Sequence, residues 1–224
     1  MQVGNARYLT AADFPETLPV FPLAGALLLP GGQLPLNIFE PRYLEMFDAA
    51  LRSNRLIGMI QPALTEPYEI ATGIPALCSM GCIGRITSFA ETGDGRYILS
   101  LGGICRFRLS EELKTTHPFR TVRISPFMAD LAAEGQENSV DRDRLLAVFR
   151  AYLDANKLEA DWESVQRASN LTLVNSLSMM SPFTPAEKQA LLEATDLHSR
   201  TETLIAITEI YLARGFGDVE PVLQ

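Results

Sequence analysis

The most constraining feature of this sequence is a series of short apolar runs near its start that proline and glycine repeatedly interrupt. The runs cover residues 18–21, 26–29 and 33–37, and breakers such as Pro22 and Pro30 separate them. Proline lacks a backbone N–H and clashes with a helix interior, whereas glycine favours turns. A long helix is therefore excluded here, and short strands joined by bends are predicted.

One helix and one buried strand are predicted to follow. Within residues 41–51, Leu44 and Phe47 recur at helical spacing, and Pro41 stands at the first helical position, where its missing N–H costs no hydrogen bond. The uninterrupted apolar run 56–60 is typical of a buried strand.

A long loop and a set of consecutive strands come next. Residues 61–79 are rich in proline and predict a surface loop, whose length makes it a candidate mobile element. Residues 92–95 have hairpin-turn chemistry, and Gly102 with Gly103 predicts a second turn or a bulge. Residues 119–124 are the strand expected to close the sheet.

In the strand after the glycine pair, apolar and basic side chains alternate. Cys105, Phe107 and Leu109 alternate with Arg106 and Arg108. Successive side chains of a strand point to opposite faces. The pattern therefore predicts that both arginines face solvent and that the other three residues face the core.

Charge divides the chain into two regions. Residues 1–127 contain 11 Lys and Arg against 11 Asp and Glu, and residues 128–224 contain 8 against 16, so the net charge of −8 lies in the second region. Residues 129–138 are polar and small, as in a linker. We therefore expect two domains, 1–127 and 128–224.

Four amphipathic helices are predicted in the second region from their start signals. The expected N-caps are Ser139, Asp161, Thr184 and Ser199. The second helix is expected to run to Met180, because Pro182 follows, and the last is expected to end at Gly215. Joined by short loops, the four helices should pack as a small bundle.

Composition argues against several classes of protein. No apolar stretch approaches the roughly 18 to 20 residues that span a bilayer, and the first residues carry charges without an apolar segment, so neither a membrane protein nor a secreted protein is expected. The expected location is the cytoplasm, with Cys78, Cys82 and Cys105 as buried, reduced thiols. Because the histidines are His117 and His198 alone, a histidine-based metal cluster is excluded. A cysteine nucleophile paired with His117 stays an alternative.

Several motifs together resemble one protein family. Residues 18–51 join a Leu-Pro-x-Phe-Pro-Leu start, a Pro-Gly bend, a Leu-Pro-Leu unit and the sequence Phe-Glu-Pro-Arg-Tyr. Residues 81–109 add Gly-x-x-Gly-Arg-Ile and Gly-x-x-Arg-Phe elements. With the helical segment 173–205, these motifs resemble the amino-terminal domain of the Lon ATP-dependent proteases over most of residues 18–212. The resemblance implies an α+β fold, with a PUA-like β pseudo-barrel followed by a C-terminal helical bundle.

The resemblance also implies a function. In full-length Lon this region helps to select and hold polypeptide substrates, so we expect a module that binds unfolded segments or a protein partner. Full-length Lon continues into an ATPase and a Ser-Lys peptidase, whereas this sequence has no G-x-x-x-x-G-K-(S/T) loop and ends at Gln224. The expectation is a stand-alone bacterial member that is not an enzyme and uses no cofactor.

Six residues are candidates for contacting the partner. They are Phe39, Glu40, Arg42, Tyr43, Arg106 and Arg108. In one interpretation, Arg42 lies in a surface groove and offers its fork of donors to a carboxylate or carbonyl of the partner. In the other, Glu40 accepts backbone N–H groups at the helix start while Arg42 holds a neighbouring loop. Phe39 and Tyr43 are of a type that packs in cores more often than it contacts partners.

Arginines of the first region are the basis of an alternative function. They are Arg85, Arg96, Arg106, Arg108, Arg120 and Arg123. A PUA-like module that binds RNA or a small molecule is the alternative, and an adaptor or competitor of full-length Lon is another. Nucleic acid is not the expected partner, because the attached acidic region and the net charge of −8 oppose attraction to phosphates. The arginine face could instead dock against acidic residues of the bundle.

Overall fold

The computed structural model of the chain describes residues 1–63, 75–132 and 140–214. Within these ranges the strands are β1 Gln2–Val3, β2 Ala6–Arg7, β3 Thr17–Pro22, β4 Gln33–Ile38, β5 Leu56–Pro62, β6 Leu77–Glu91, β7 Tyr97–Leu113 and β8 Arg120–Pro126. The helices are α1 Pro41–Leu51, α2 Arg142–Asn156, α3 Trp162–Arg167, α4 Asn170–Met180, α5 Pro185–Glu193 and α6 Leu197–Arg214. A short 3₁₀ turn, Met128–Leu131, follows β8.

Strands β3 to β8 form one sheet that closes on itself. Their order is β4-β7-β6-β5-β3-β8, and β8 also pairs with β7. Strand β7 can serve two neighbours on one side because it is long: its residues 97–102 pair with β4, and its residues 107–113 pair with β8. β3 and β5 are parallel, and the other pairs are antiparallel. The predicted α+β fold with a β pseudo-barrel is thus confirmed.

The barrel interior is filled by apolar side chains that alternate along its strands. Leu18 and Val20 of β3 and Phe107 of β7 are fully buried. The Phe107 ring fits because Gly81 pairs with it across the β6–β7 ladder. A Cβ on Gly81 would lie 2.6 Å from the Phe107 ring and 2.5 Å from the carbonyl oxygen of Met59. Any larger residue at this position would therefore displace the core.

Local signals in the first region placed most elements correctly. Helix α1 covers the predicted residues 41–51 with Pro41 in its first turn. Strands β3, β4 and β5 fall on predicted strands, and β8 closes the sheet as predicted. The β6–β7 ladder shifts register between Ile83 and Gly84, opposite the glycine pair that predicted a turn or bulge.

Two predictions for the first region are wrong. Residues 26–29 are not a strand: Leu27, Leu28 and Leu29 are buried, but they lie in a non-repetitive segment, so the apolar run reflects burial of a loop. The predicted loop 61–79 is too long, because β5 reaches Pro62 and β6 begins at Leu77. Residues 64–74 of that loop lie outside the described residues.

By its internal contacts the chain divides into two compact units. The first contains the described residues up to 132 together with 179–193, and the second contains the described residues of 140–178 and 194–214. Helix α5 thus joins the first unit, where Gln61 donates to the Pro185 carbonyl at 3.0 Å. The sequence-based boundary after residue 127 stays a prediction.

The helix starts show which cap signals were read correctly. Asp161 accepts from the backbone N–H of Ser164 at 3.2 Å and caps α3. Thr184 and Glu187 form the predicted capping box of α5, in which the Thr184 N–H donates to Glu187 at 2.8 Å and the Glu187 N–H donates to the Thr184 hydroxyl at 3.3 Å. The single helix predicted from Asp161 to Met180 is wrong. It is divided into α3 and α4, because Ser169 caps a new helix by accepting from the Thr172 N–H at 3.1 Å.

Two further starts differ from prediction. Helix α6 begins at Leu197, and Asp196 accepts from the Ser199 N–H at 2.8 Å, so the predicted start at Ser199 is wrong. The observed cap of α2 is Asp141, which accepts from the Arg144 N–H at 3.0 Å. The expected cap Ser139 and the expected end at Gly215 lie outside the described residues. No helix within the described ranges has the length and hydropathy needed to cross a membrane.

Candidate functional site

Large apolar side chains are exposed at one end of the sheet, beside the β6–β7 turn. Phe39 is 60% exposed, Ile98 is 52% exposed and Phe89 is 45% exposed. We call these three residues the hairpin-end surface. Apolar side chains that cluster on a protein surface commonly mark sites of interaction.

The sheet register explains how these side chains reach solvent. Ile98 pairs with Asn37 of β4 and Ala90 of β6, on the face opposite the buried Leu99. Phe89 pairs with Leu99, so it shares the inner face, where its ring lies 5.5 Å from the ring of Phe47. Both faces of the sheet end therefore carry accessible apolar area.

Phe39 lies just beyond β4 and belongs to the same end of the sheet. Ile38 before it is buried and pairs with Tyr97, so alternation turns Phe39 to the outer face. The Arg96 guanidinium lies 5.8 Å from the Phe39 ring centroid. The expectation that Phe39 packs in the core is wrong, because the chain turns from β4 into α1 at this residue.

At this end of the sheet, two strand edges have no paired neighbour among the residues that the structure describes. Strand β4 ends the strand order, with Pro35 in its middle. The N–H of Gly103 in β7 donates to the carbonyl of Gly32 at 2.9 Å, so the Gly32 backbone faces β7. Backbone groups alternate in direction along an antiparallel strand, so those of Pro35, three residues later, face the open edge. Proline has no N–H to offer at that edge. Strand β6 pairs with β5 only up to Arg85, so residues 88–91 are paired on the β7 side alone. The β6 edge is therefore the better template for another strand.

A separate cleft of about 200 Å³ lies in the same unit. We call it the proline cleft; its lining residues are Pro22, Arg42, Tyr43, Pro62, Pro75, Pro118, Phe119 and Arg120. Four prolines and two aromatic rings make its walls apolar, and two guanidiniums add positive charge.

Tyr43 anchors the cleft wall from α1. Its side chain is buried and its ring centroid lies 4.3 Å from that of Phe21, as expected of a core residue. Burial raises the pKa of the Tyr43 hydroxyl; the Arg42 guanidinium opposes that shift, the Glu40 carboxylate adds to it, and the Arg120 guanidinium opposes it. Both guanidiniums are thus close enough to act on the hydroxyl.

The two cleft arginines are held differently. Arg42 pairs with Glu40 at 2.7 Å, and both side chains are well exposed. Arg120 is mostly buried; its Nε donates to Glu112 at 2.7 Å and its Nη1 donates to the Pro75 carbonyl at 2.8 Å. The Glu40 side chain makes no hydrogen bond to the start of α1, so the carboxylate cap considered for it is not formed.

The expectation that Arg106 faces solvent is wrong. Its side chain is buried, and its Nε and Nη2 donate to Asp130 at 2.8 and 2.7 Å. The Asp130 carboxylate also accepts from the Arg106 backbone N–H at 2.9 Å, and the carbonyl of Leu192 in α5 accepts from Nη1 at 3.1 Å. Asp130 lies in the 3₁₀ turn Met128–Leu131, within residues that the sequence indicated as linker. Arg108 is exposed as predicted.

Acidic neighbours compensate most arginines of the first unit. Among the described residues, six arginines of this unit form ion pairs: Arg42 with Glu40, Arg52 with Asp48, Arg96 with Asp94, Arg106 with Asp130, Arg120 with Glu112, and Arg123 with Glu16 and Glu111. All of these acidic residues belong to the first unit.

The described residues offer little for covalent or metal chemistry. Burial raises the pKa of the Cys105 thiol to about 12 and also raises the pKa of Cys78, so both thiols are protonated at neutral pH and are poor nucleophiles. In residues 1–63, 75–132 and 140–214, no group of three His, Cys, Asp or Glu side chains is arranged to hold a metal ion.

The sequence pattern missed several residues of these two sites. The residue pattern around Phe89 and Ile98 predicts strands, but it does not indicate which face of the sheet other parts of the chain cover. Pro22, Phe119 and Arg120 are distant in sequence from Arg42 and Tyr43, and only the barrel brings them into one cleft. The one available sequence signal was the position of the four lining prolines, each of which lies at or near the end of a strand: Pro22, Pro62, Pro75 and Pro118.

Comparison with known proteins identifies relatives over most of the chain. The family model of the ATP-dependent protease La (LON) substrate-binding domain matches residues 17–209. Lon protease 2 of Myxococcus xanthus is 26% identical over 203 residues, which cover 87% of this chain and 24% of that protein. The Lon protease of Escherichia coli is 22% identical over 197 residues, covering 86% of this chain and 24% of that protein. The chain thus spans about a quarter of the length of these relatives.

Two solved structures share the fold. The N-terminal domain of a Mycobacterium avium complex Lon protease superposes with a TM-score of 0.64 at 20% identity, covering 87% of this chain and 99% of that one. A Lon N-terminal domain protein from Xanthomonas campestris gives a TM-score of 0.60 at 23% identity, covering 85% and 97%. With the family match over residues 17–209, the closed sheet and the helical C-terminal part establish that this chain belongs to the Lon substrate-binding domain family.

Proposed function

We propose that this chain is a non-catalytic module that binds polypeptide, holding unfolded or extended segments against the hairpin-end surface. The observation that carries the proposal is the exposure of Phe39, Phe89 and Ile98, at 60%, 45% and 52%, at one end of one sheet. An unfolded chain differs from a folded one mainly by its accessible apolar side chains and unpaired backbone groups, and this sheet end offers contacts for both.

Sheet geometry supports an extended binding mode. Residues 88–91 of β6 present an open backbone edge directly beside the Phe89 side chain. Extended peptides bind such edges through backbone hydrogen bonds and gain specificity from neighbouring side-chain sites. The β4 edge is a weaker template, because Pro35 interrupts its row of donors.

The membership of the family adds to this reasoning. The matched family is described as substrate-binding, and the matched relatives are proteases. Polypeptide is the substrate class of a protease, so a module of this type that binds unfolded segments agrees with both the family and the surface.

The proposal predicts a preference for unfolded over folded protein. A fluorescently labelled model protein, reduced and carboxymethylated so that it stays unfolded, should bind the full chain, and its native form should not. Equal binding of the two forms, or binding of neither, would refute the function.

A matched pair of variants locates the site. The double variant Phe39→Ser and Ile98→Ser should weaken binding at least tenfold, since a fully buried side chain of this size contributes roughly 1.5 to 3 kcal/mol. The control Leu158→Ser changes a side chain that is 53% exposed in the second unit and should leave binding unchanged. If the control weakened binding as much as the double variant, the hairpin-end surface would not be the site.

A further inference from the structure

We propose that the proline cleft binds the free carboxyl end of a polypeptide whose last residue is apolar; this inference rests on the proposed polypeptide-binding function and names a chain end as its ligand. The cleft is distinct in its residues from the hairpin-end surface.

The volume of the proline cleft limits the size of its ligand. The cleft has about 200 Å³ of free space. Sites for drug-sized molecules and cofactors measure roughly 300 to 1,000 Å³. A single amino-acid residue is therefore a better match to the cleft than a nucleotide or an organic cofactor.

The lining gives the ligand an apolar part. Pro22, Pro62, Pro75 and Pro118 contribute rings without backbone N–H donors, and Tyr43 and Phe119 contribute aromatic faces. Such walls stabilise an aliphatic or aromatic side chain by removing it from water.

The charges of the lining residues indicate which charge the ligand carries. Arg42 and Arg120 line the cleft, whereas their partners Glu40 and Glu112 are not among the eight lining residues. The hydroxyl of Tyr43, whose pKa both guanidiniums lower and the Glu40 carboxylate raises, adds a polar group to the same wall. The lining residues that the structure describes therefore include two cations and no carboxylate, and Arg42, whose partner Glu40 is exposed, is the cation that an incoming anion can reach.

Arg42 is the cation that can exchange partners. Its pair with Glu40 joins side chains that are 53% and 42% exposed, and exposed pairs of this kind contribute little stability. Arg120 is held by Glu112 and by the Pro75 carbonyl, so it is fixed in place and its charge is already balanced by a carboxylate. Arg42 can turn from Glu40 to an incoming carboxylate and bind it through two parallel hydrogen bonds.

A chain end fits both halves of the cleft together. Its carboxylate and its last side chain are attached to the same carbon, so they can reach a guanidinium and an apolar wall within one residue-sized space. An aspartate or glutamate side chain brings the carboxylate without the apolar group.

The test compares two forms of one peptide on the full chain. A short Gly-Ser peptide ending in leucine carries a fluorophore at its amino end and either a free carboxylate or an amide at its carboxyl end. Fluorescence anisotropy should show the free acid binding at least about tenfold more tightly, as expected for charge-assisted hydrogen bonds. The acid form ending in serine should bind more weakly than the form ending in leucine.

Three variants test whether the preference for the acid form over the amide form arises in the proline cleft. Arg42→Gln should abolish the preference for acid over amide, and Glu40→Gln should strengthen acid binding by freeing Arg42. Arg52→Gln is the control, because Arg52 lies just after α1, is 79% exposed and is not a lining residue. It should leave the preference intact.

Several outcomes would overturn the proposal. Equal binding of acid and amide, binding of neither, or an unchanged preference in Arg42→Gln each would do so. So would full displacement of the leucine peptide by millimolar acetate or by a short RNA, which would indicate a general anion site. If unfolded protein still binds in these cases, only the chain-end inference fails; if the acid peptide binds and unfolded protein does not, only the proposed function fails.

Discussion

Removing Asp130 should destabilise the first unit strongly, because it would leave a buried guanidinium without its counter-ion. The Arg106 and Asp130 side chains are only 6% and 9% exposed, and three hydrogen bonds join the two residues. In Asp130→Ala, Arg106 keeps the Leu192 carbonyl as an acceptor but loses its counter-charge. Breaking a buried pair on one side costs about 3 to 5 kcal/mol, a large share of the roughly 5 to 15 kcal/mol by which native proteins are stable.

The double variant Arg106→Met with Asp130→Leu separates charge from packing. It removes both charges and leaves the Arg106 backbone N–H without its acceptor, at a cost of about 1 to 3 kcal/mol. Urea denaturation followed by circular dichroism should therefore rank Asp130→Ala as less stable than the double variant. Glu16→Ala is the control; it breaks an exposed pair with Arg123 and should change stability by less than about 1 kcal/mol. A double variant as unstable as Asp130→Ala would refute the reasoning.

Three other substitutions test the fold. Gly81→Ala should destabilise the barrel by about 1 to 3 kcal/mol in the same assay, because the new Cβ would lie 2.6 Å from the Phe107 ring, and an unchanged midpoint would contradict this. Thr184→Ala should remove half of the α5 capping box and lower the free energy of unfolding by about 1 kcal/mol; a loss below a few tenths would mean that the box contributes little. Pro35→Thr should restore an N–H donor to the β4 edge and promote self-association, seen by light scattering after size-exclusion chromatography. The control Asn37→Thr adds no donor, so association in both variants, or in neither, would show that Pro35 is not what protects this edge.

The sequence was most informative where the signal is local. Pro41 marked the start of α1, and Thr184 with Glu187 marked the start of α5, because a proline in the first turn and a capping box act within a few residues. The break between α3 and α4 was missed because Ser169 is not a helix breaker; it stops one helix only by capping the next.

Long-range contacts explain the other failures. The alternation around Arg106 gave the correct period but the wrong environment, since Asp130 is 24 residues away and Leu192 is 86 residues away. The same holds for the proline cleft, whose lining runs from Pro22 to Arg120. No periodicity or motif encodes which distant segments the closed sheet brings together.

The route of the chain between its two units has a consequence for synthesis on the ribosome. The first unit contains residues 179–193, yet the described residues of 140–178, which belong to the second unit, precede them in the chain. The Arg106–Asp130 pair can form as soon as residue 130 has emerged, but the Leu192 carbonyl that also accepts from Arg106 is made later. The hydrogen bond from Arg106 to Leu192 therefore cannot form until translation has passed through α2, α3 and α4 and has reached Leu192 in α5.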